Sequence, residues 1–306
     1  MLQQMKAQIG YKRWKGLKYL LIALPFMIFI FAFHYVPLLG WAYAFFDYKP
    51  GRMFWDVEFA GLKHFKRLFT DASIPRILKN TLIMSGLTLL SSPFPMFLAI
   101  LINDIKSVRV KKLIQTITTL PHFISWVIVF GLAHALFGPS GLVNDLLKLL
   151  NLPYSEFGLI GDPDAVWFFQ WGIGLWKSLG WNTILYMAAI VGIDSELYDA
   201  ARVDGANKVQ LIRHITLPGM VPTYLVLLLL SISNILSNGF DQYYLFWNSL
   251  VAQKIEVLDY YIYNVGLKTG LYSYSIAVCM LKSVVGICIL LLANRISKKL
   301  RGEGLF

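Results

Sequence analysis

The sequence predicts an all-α, polytopic membrane protein with six transmembrane helices. Of its 306 residues, 57% are hydrophobic and only 15% are charged, against roughly 25% charged in an average soluble domain. The mean hydropathy is +0.59. Six apolar stretches are long enough to cross a bilayer, which takes about 20 helical residues, and Lys and Arg are concentrated in alternate connecting segments. These three observations exclude an ordinary soluble domain.

The predicted spans lie near residues 19–40, 81–102, 113–137, 166–191, 219–239 and 276–293. The first span resembles a signal peptide at its end, but residues 19–46 contain no charged side chain. That stretch is far longer than the roughly 7–15 apolar residues of a signal peptide, so we expect a retained first helix.

The basic residues predict the orientation. If the N-terminus is inside, segments 1–18, 103–112, 192–218 and 294–306 face the cytoplasm and hold sixteen Lys and Arg. The outer loops contain more residues but hold ten, seven of them in the 41–80 loop. This bias predicts cytoplasmic N- and C-termini. It also accounts for the net charge of +11 without nucleic acid as a partner.

The outer loops are predicted to be more than tethers. Leu62, Phe65, Leu68 and Phe69 have the spacing of a short amphipathic helix on the outer surface. Loops 138–165 and 240–275 are long and rich in Gly, Pro and Tyr, so we expect them to cap a cavity or contact an outside partner.

Catalytic and metal-binding signatures are absent from the sequence. The chain has no HExxH, CxxC or GxSxG motif, and residues 172–178 resemble a phosphate loop only faintly. Because that stretch lies inside a span, we interpret its glycines as sites of close helix packing. We therefore expect no catalytic residue, no metal and no cofactor, and any ATP must be bound by another chain.

Ionisable residues inside the spans are few. None of the six cores contains a carboxylate, which argues against an ion-coupled carrier. Lys177 is the one cation well inside a span, and we expect its stem to pack in the bundle with its amine reaching a polar cavity. Cys279 and Cys288 are predicted to be buried thiols of the last span.

Residues 199–218, DAARVDGANKVQLIRHITLP, form a polar segment between two apolar spans. The pattern predicts a helix, a break at Gly205 and a second helix that ends at Pro218. On the cytoplasmic side, such a segment suits a soluble partner.

The spacing of this segment resembles the EAA loop of ABC-importer permeases, with the Asp-Gly-Ala form typical of sugar uptake. Asp199 occupies the position of the motif's glutamate, and Glu196, one turn earlier, is an alternative acid for the partner. The resemblance assigns ATPase coupling to Glu196, Asp199, Ala200, Ala201, Asp204, Gly205, Ala206, Ile215, Leu217 and Pro218.

Further stretches are similar to the same family: Phe65 with Asn80-Thr81, Leu120-Pro121, residues 239–248 and residues 272–295. The resemblance implies the type I ABC importer permease fold (MetI-like). It divides the chain into a cytoplasmic segment (1–18), the first span with its outer loop (19–80), a core permease domain of five spans (81–293) with the EAA loop at 194–218, and a basic cytoplasmic tail (294–306).

The resemblance also implies partner subunits and a location in the cell. The chain would form half of the translocation pathway for an oligosaccharide or polysaccharide, as a heterodimer with a second homologous permease in the cytoplasmic membrane of a bacterium. Two cytoplasmic ATP-binding subunits would hydrolyse ATP, so this chain is not itself an enzyme. An extracytoplasmic solute-binding protein would deliver the sugar. The alternatives are a secondary sugar carrier acting without an ATPase and a non-transport membrane scaffold.

A sugar pathway needs hydrogen-bonding groups and aromatic faces in a wet cavity. The alternative for each such residue is a bond to a neighbouring helix or a place in the aromatic belt. The candidates are His122, Trp126, Asn182, Tyr186, Asn234, Asn238, Asp241, Gln242 and Tyr243.

Overall fold

A computed structural model of the chain describes residues 2–52 and 56–301. Residue 1 of the predicted N-terminal segment and residues 302–306 of the predicted basic tail lie outside the described residues. The described part of the chain is helical, and its single β-bridge joins Phe46 and Phe59. The predicted all-α class is confirmed.

The chain divides into two compact units, residues 1–69 with 265–280 and residues 70–264 with 281–306. In the first unit, helix α1 (Leu2–Ile30) continues through a π-helical turn (Phe31–Tyr35) and a 3₁₀ segment (Val36–Phe45). None of the most apolar window of Lys15–Phe45 is buried within the chain, and the window has the length and hydropathy of a membrane span.

The short amphipathic helix predicted after the first span is confirmed as α2 (Lys63–Thr70). Its Phe65 ring lies 5.2 Å, centroid to centroid, from Phe45, which anchors the apolar face. On the polar side, Lys63 Nζ donates a hydrogen bond to Asp47 Oδ2 at 2.7 Å. This bond holds the pKa of the Asp47 carboxyl below its usual value.

The second unit consists of helices joined by short connections. They are α3 (Ile74–Leu90), α4 (Phe94–Asn103), α5 (Val108–Phe123), α6 (Trp126–Phe137), α7 (Leu142–Leu149), α8 (Gly158–Gly161), α9 (Val166–Val191), α10 (Ser195–Val203), α11 (Lys208–Leu211), α12 (Leu217–Ser233), α13 (Asp241–Phe246), α14 (Ala252–Ile255) and α15 (Leu258–Tyr263). A π-helical turn (Ile212–Thr216) joins α11 to α12, and another (Asn264–Lys268) follows α15. Helix α16 (Tyr272–Arg301) contributes to both units.

Helix α9 is the central element of the second unit and packs along α4, α5, α12 and α3. Its contact with α5 is close because position 180 is glycine: a Cβ there would overlap the carbonyl group of Thr118. Two buried clusters flank α9. One includes Phe246 and Tyr260, and the other includes Tyr186 and Met220.

Five helical segments have both the length and the hydropathy of a membrane span: Lys15–Phe45, Ile74–Asn103, Trp126–Leu149, Lys208–Ser233 and Tyr272–Lys299. The sixth predicted span, α9, is a helix of 26 residues. It is outside these five because four tryptophans and several polar residues lower its hydropathy.

Three predicted spans and one predicted pair of thiols need correction. The span predicted at 81–102 comprises parts of two helices, α3 and α4, separated at residues 91–93. The span predicted at 113–137 is two helices, α5 and α6, separated at Ile124 and Ser125. The span predicted at 219–239 ends at Ser233. Cys279 is partly exposed and Cys288 is exposed, because only 17% of the most apolar window of α16 is buried within the chain.

The close approach of α5 and α9 predicts a sharp difference between two glycines of one helix. Gly180→Ala should lower the stability of the purified protein by about 1–3 kcal/mol, because the new methyl group meets main-chain atoms that have no room to move. Gly172→Ala is the matched control, since nothing lies within 4 Å of a Cβ there. Thermal unfolding in detergent measures both variants. Equal midpoints for the two would contradict the packing described.

Candidate functional site

A cavity of about 470 Å³ lies inside the second unit, bounded by α3, α4, α6, α9, α12 and α13. Its lining contains no Asp, Glu, Lys, Arg or His side chain among the described residues. The polar and aromatic lining residues are Ser85, Thr88, Ser91, Ser92, Trp126, Gln170, Trp171, Ser178, Asn182, Tyr186, Ser231, Asn234, Ser237, Asn238, Gln242 and Tyr243. The cavity is therefore neutral and rich in hydrogen-bonding groups.

One face of α9 forms a wall of this cavity. Gln170, Gly174, Ser178 and Asn182 recur every four residues, which places them in one row along a helix. Gly174 leaves room for Gln242, whose Oε1 atom would lie 3.4 Å from a Cβ at position 174. The helix thus presents amide and hydroxyl groups to the cavity.

Two glutamines join α9 to α13 at the cavity wall. Gln242 Nε2 donates hydrogen bonds to the main-chain oxygen and to Oε1 of Gln170, each at 2.8 Å. Gln170 is only 1% exposed, and its Nε2 atom has no hydrogen-bond partner among the described residues. A buried amide donor without a partner costs free energy, and with less than 1 Å² of accessible surface it can bond a ligand or water only after a side chain moves.

The chain after α12 is held by side chains from three helices. Asp259 Oδ2 accepts hydrogen bonds from the main-chain N–H of Asn238 at 2.9 Å and of Gly239 at 3.1 Å, while Asp259 also pairs with Lys282. Asn238 Nδ2 donates to Ser85 Oγ at 2.8 Å. Asn238 Oδ1 is buried without a hydrogen-bond partner in the part of the chain that the structure describes. The loop therefore presents a fixed amide at the cavity, with a spare acceptor.

The structure brings seven of the nine predicted pathway residues together: Trp126, Asn182, Tyr186, Asn234, Asn238, Gln242 and Tyr243 line the cavity. His122 and Asp241 do not. The His122 ring stacks on Trp181, 4.4 Å between centroids, on another side of α9. Asp241 is exposed in the first turn of α13, where the helix dipole favours a carboxylate.

The predictions from the sequence did not include Gln170, Trp171, Ser85 of α3, or Ser91 and Ser92 directly after α3. For Gln170 a signal exists, since it starts the row of every fourth residue that reaches Asn182. The serines give no comparable signal, because a serine inside an apolar helix usually bonds its own main chain. Ser91 Oγ does so, donating to the oxygen of Thr88 at 2.9 Å, and it also accepts from Trp171 Nε1 at 3.2 Å.

Lys177 does not reach the cavity, contrary to the prediction. Its Nζ donates to the main-chain oxygens of Pro121 at 3.1 Å, His122 at 2.9 Å and Ile124 at 2.5 Å. The ammonium therefore caps the C-terminal end of α5, where carbonyl groups lack intrahelical partners.

The first half of the 194–218 segment is α10, and it ends as predicted at Gly205. Asp194 accepts from the main-chain N–H of Glu196 at 2.9 Å and caps the start of the helix. At its end, Ala206 N–H bonds the oxygen of Ala201 and Gly205 N–H bonds the oxygen of Arg202. This is a Schellman motif, and it places Gly205 at φ +79°, a conformation that favours glycine.

The second half runs without a break into α12. Asn207 and Gln210 form a reciprocal capping box at the start of α11. The π-helical turn then continues into α12, so the predicted end of the second helix at Pro218 is wrong. Pro218 is tolerated there because it directly follows the π-helical turn, where the main-chain hydrogen bonds are already irregular and can omit the N–H that proline lacks. Tyr198 and Thr216 join their hydroxyl groups at 2.9 Å and so tie α10 to this turn.

The surface of the 194–218 segment combines exposed acids with exposed apolar side chains. Val203 is 88% exposed and Val209 71%. Asp199 Oδ1 accepts a hydrogen bond from Arg202 at 2.8 Å, whereas Glu196 is exposed in the first turn of α10. Between the two halves lies a hollow of about 310 Å³, lined by Ala201, Asp204, Gly205, Ala206, Gln210, Leu211, His214 and Ile215. The exposed surface of the segment therefore holds both apolar and acidic groups.

The amino-acid sequence of this chain is similar to those of transport proteins. The family described as binding-protein-dependent transport system inner membrane component matches residues 91–302. The polygalacturonan/rhamnogalacturonan transport system permease protein YteP of Bacillus subtilis (strain 168) is 41% identical over 294 residues, covering 94% of this chain and 90% of YteP. Protein LplB of the same strain is 40% identical over 299 residues, covering 96% and 92%.

A solved structure is similar to this chain over most of its length. One chain of a bacterial alginate ABC transporter, crystallised in complex with an alginate pentasaccharide-bound periplasmic protein, superposes with a TM-score of 0.83. The two chains are 36% identical, and the match covers 95% of this chain and 99% of that one.

Proposed function

This chain belongs to the family of binding-protein-dependent transport system inner membrane components, and we propose that its cavity is part of the path of an oligosaccharide across the membrane. The chain is a permease subunit of an ATP-driven importer, and separate ATPase subunits hydrolyse ATP. It works with a second permease and a solute-binding protein. A secondary carrier and a non-transport scaffold are thereby set aside.

The neutral, polar lining of the cavity carries the proposal about sugar. A sugar presents many hydroxyl groups and an apolar ring face, and it is held by matched donors, acceptors and aromatic rings. Gln170 Nε2 offers a buried donor and Asn238 Oδ1 a buried acceptor, while Trp126 and Trp171 offer indole faces. Each of these two buried atoms would gain a partner if a small side-chain movement let a bound hydroxyl group reach it.

The names of the relatives narrow the class of sugar. YteP is named for polygalacturonan and rhamnogalacturonan, and the structural relative imports alginate, an acidic polysaccharide. We propose that this chain passes oligosaccharides of such polymers. The described lining of its own cavity has no cation, so its donors to the hydroxyl or carboxylate groups of such a sugar are neutral amide, hydroxyl and indole groups.

A bulky residue at the cavity wall should block uptake. Asn182→Trp should lower the maximal uptake rate by about tenfold or more, because an indole fills much of the space beside α9. The measurement is uptake of labelled oligosaccharides from polygalacturonan and, separately, from alginate, by cells carrying the complete importer. Leu132→Trp is the control, since Leu132 is exposed on α6 and does not line the cavity. Wild-type uptake by Asn182→Trp, with normal assembly, would remove the cavity from the pathway.

We also propose that both termini face the cytoplasm of a bacterium, which the excess of Lys and Arg in the short inner segments supports. A single cysteine introduced at Lys299, in a variant without Cys279 and Cys288, should react with a membrane-impermeant maleimide only after the cells are opened. A cysteine introduced at Lys66 should react in intact spheroplasts. The reverse pattern would invert the orientation.

We propose that the 194–218 segment is the surface that meets an ATPase subunit. Its exposed valines suit an apolar groove, and its acids suit a basic rim. Of the two acids, Glu196 is the freer to bind a partner because Asp199 already accepts a hydrogen bond from Arg202. Ala200, Ala201 and Ile215 would be the packing contacts of that surface, whereas Leu217 packs on the buried cluster that includes Tyr186 and Met220.

Substitutions at Gly205 should uncouple ATP hydrolysis from uptake in a definite order. Gly205→Asn should be mild, since asparagine tolerates positive φ, whereas Gly205→Val should be severe because a β-branched residue is strained there. The readout is the amount of oligosaccharide taken up per ATP hydrolysed by the assembled importer. Nothing lies within 4 Å of a Cβ at this position, so a clash with neighbours does not confuse the comparison. Equal coupling in the two variants would refute the role of this turn.

A further inference from the structure

The third apolar span is interrupted beside the cavity. Helix α5 ends at Phe123, Ile124 and Ser125 are extended, and α6 begins at Trp126. The start of α6 has its own cap, since Ser125 Oγ accepts from the main-chain N–H of Ile128 at 3.4 Å. The carbonyl groups at the end of α5 need partners from elsewhere in the protein.

The ammonium group of Lys177, in the middle of α9, is the partner of these carbonyl groups. An ammonium has three donors, and the three carbonyl oxygens of Pro121, His122 and Ile124 match that number. Lys177 is 9% exposed. Its positive charge also lies at the negative end of the α5 dipole, which strengthens the contact. All three donors of this buried cation are therefore bonded to main-chain oxygens at the end of a neighbouring helix.

The two halves of the interrupted span pack on different elements. Helix α5 lies against α9, where Gly180 allows close approach to Thr118. Helix α6 lies against α13, where the Phe130 and Phe246 rings meet edge to face at 5.1 Å. The turn at residues 124–125, called the joint below, therefore connects a helix packed on α9 to a helix packed on α13. Lys177 binds the α5 side of this joint.

We propose that Lys177 is a positioning residue of the pathway, which fixes this joint and so sets the place of the Trp126 indole in the cavity wall. Trp126 is the first residue of α6, two residues after the last carbonyl that Lys177 binds, and its ring centroid lies 5.4 Å from Lys177 Nζ. The effect on transport rests on the proposed function of the cavity. The effect on the position of residue 126 does not.

The first experiment measures how accessible position 126 is to a small reagent. The chain has two native cysteines, and replacing both with serine allows a single cysteine to be introduced by Trp126→Cys. In membrane vesicles that contain the complete importer, adding Lys177→Met should change the rate at which a small maleimide labels position 126 by about fivefold, because the joint loses a charged hydrogen-bond donor. A single cysteine at position 182, on α9 itself, is the matched control and should keep its labelling rate.

The second experiment reads transport of oligosaccharides from polygalacturonan or alginate, whichever the native importer takes up. Trp126→Ala and Lys177→Met should each raise the KM for uptake, and the double variant should be no worse than Trp126→Ala alone, because the lysine acts through the indole. If the changes in KM of the two single variants add up in the double variant, Lys177 does not act through the Trp126 indole. If Trp126→Ala leaves uptake unchanged, the proposed pathway fails, while the labelling rate still decides whether Lys177 fixes the joint.

Loss of assembly in Lys177→Met would call for a milder change. Lys177→Gln keeps donors without the charge and should shift the labelling of a cysteine at position 126 in the same direction by a smaller factor. An unchanged labelling rate at position 126 in assembled Lys177→Gln, and in Lys177→Met where it assembles, would overturn the proposal.

Discussion

Main-chain groups that are released where an apolar helix is interrupted must find partners inside the protein, because lipid offers none. The second unit has such interruptions at residues 91–93, 124–125 and 234–239. Each is served by a polar side chain: Ser91 for the oxygen of Thr88, Lys177 for the carbonyls that end α5, and Asp259 for the N–H groups of Asn238 and Gly239. At these interruptions, polar side chains of the second unit therefore form hydrogen bonds to main-chain groups that the helices leave unpaired.

The cavity follows from these interruptions. Where the helices stop, the chain turns, and the groups that hold the turns face a common space. Ser91 and Asn238 both hold a turn and line the cavity. Since Ser85 bonds Asn238 and also donates to the oxygen of Ile235 at 2.5 Å, the lining is fixed before any ligand arrives. A fixed lining would lose little conformational entropy on binding the proposed sugar, which would favour affinity.

Sequence patterns predict what local forces determine. Hydropathy finds most spans, and the apolar spacing of residues 62–69 finds α2. Gly205 marks a turn because only its local conformation matters there. The break at Ile124 escapes prediction because its partner, Lys177, lies 53 positions later in the chain. His122 and Trp126 illustrate the same limit. Both are polar or aromatic and close in sequence, yet the break between them sends one to Trp181 and the other to the cavity.

The proposed coupling needs a mechanical link between the 194–218 segment and the cavity, and α12 supplies one. Lys208–Ser233 is a continuous helical run of 26 residues, which at about 1.5 Å per residue spans about 39 Å. Its first turns are tied to α10 through Tyr198 and Thr216, and Asn234, directly after its last residue, lines the cavity. A displacement of the segment by an ATPase would therefore move the far end of the same helix. The uninterrupted passage through Pro218 is what makes such a lever possible, since a helix that ended there would transmit far less of the motion.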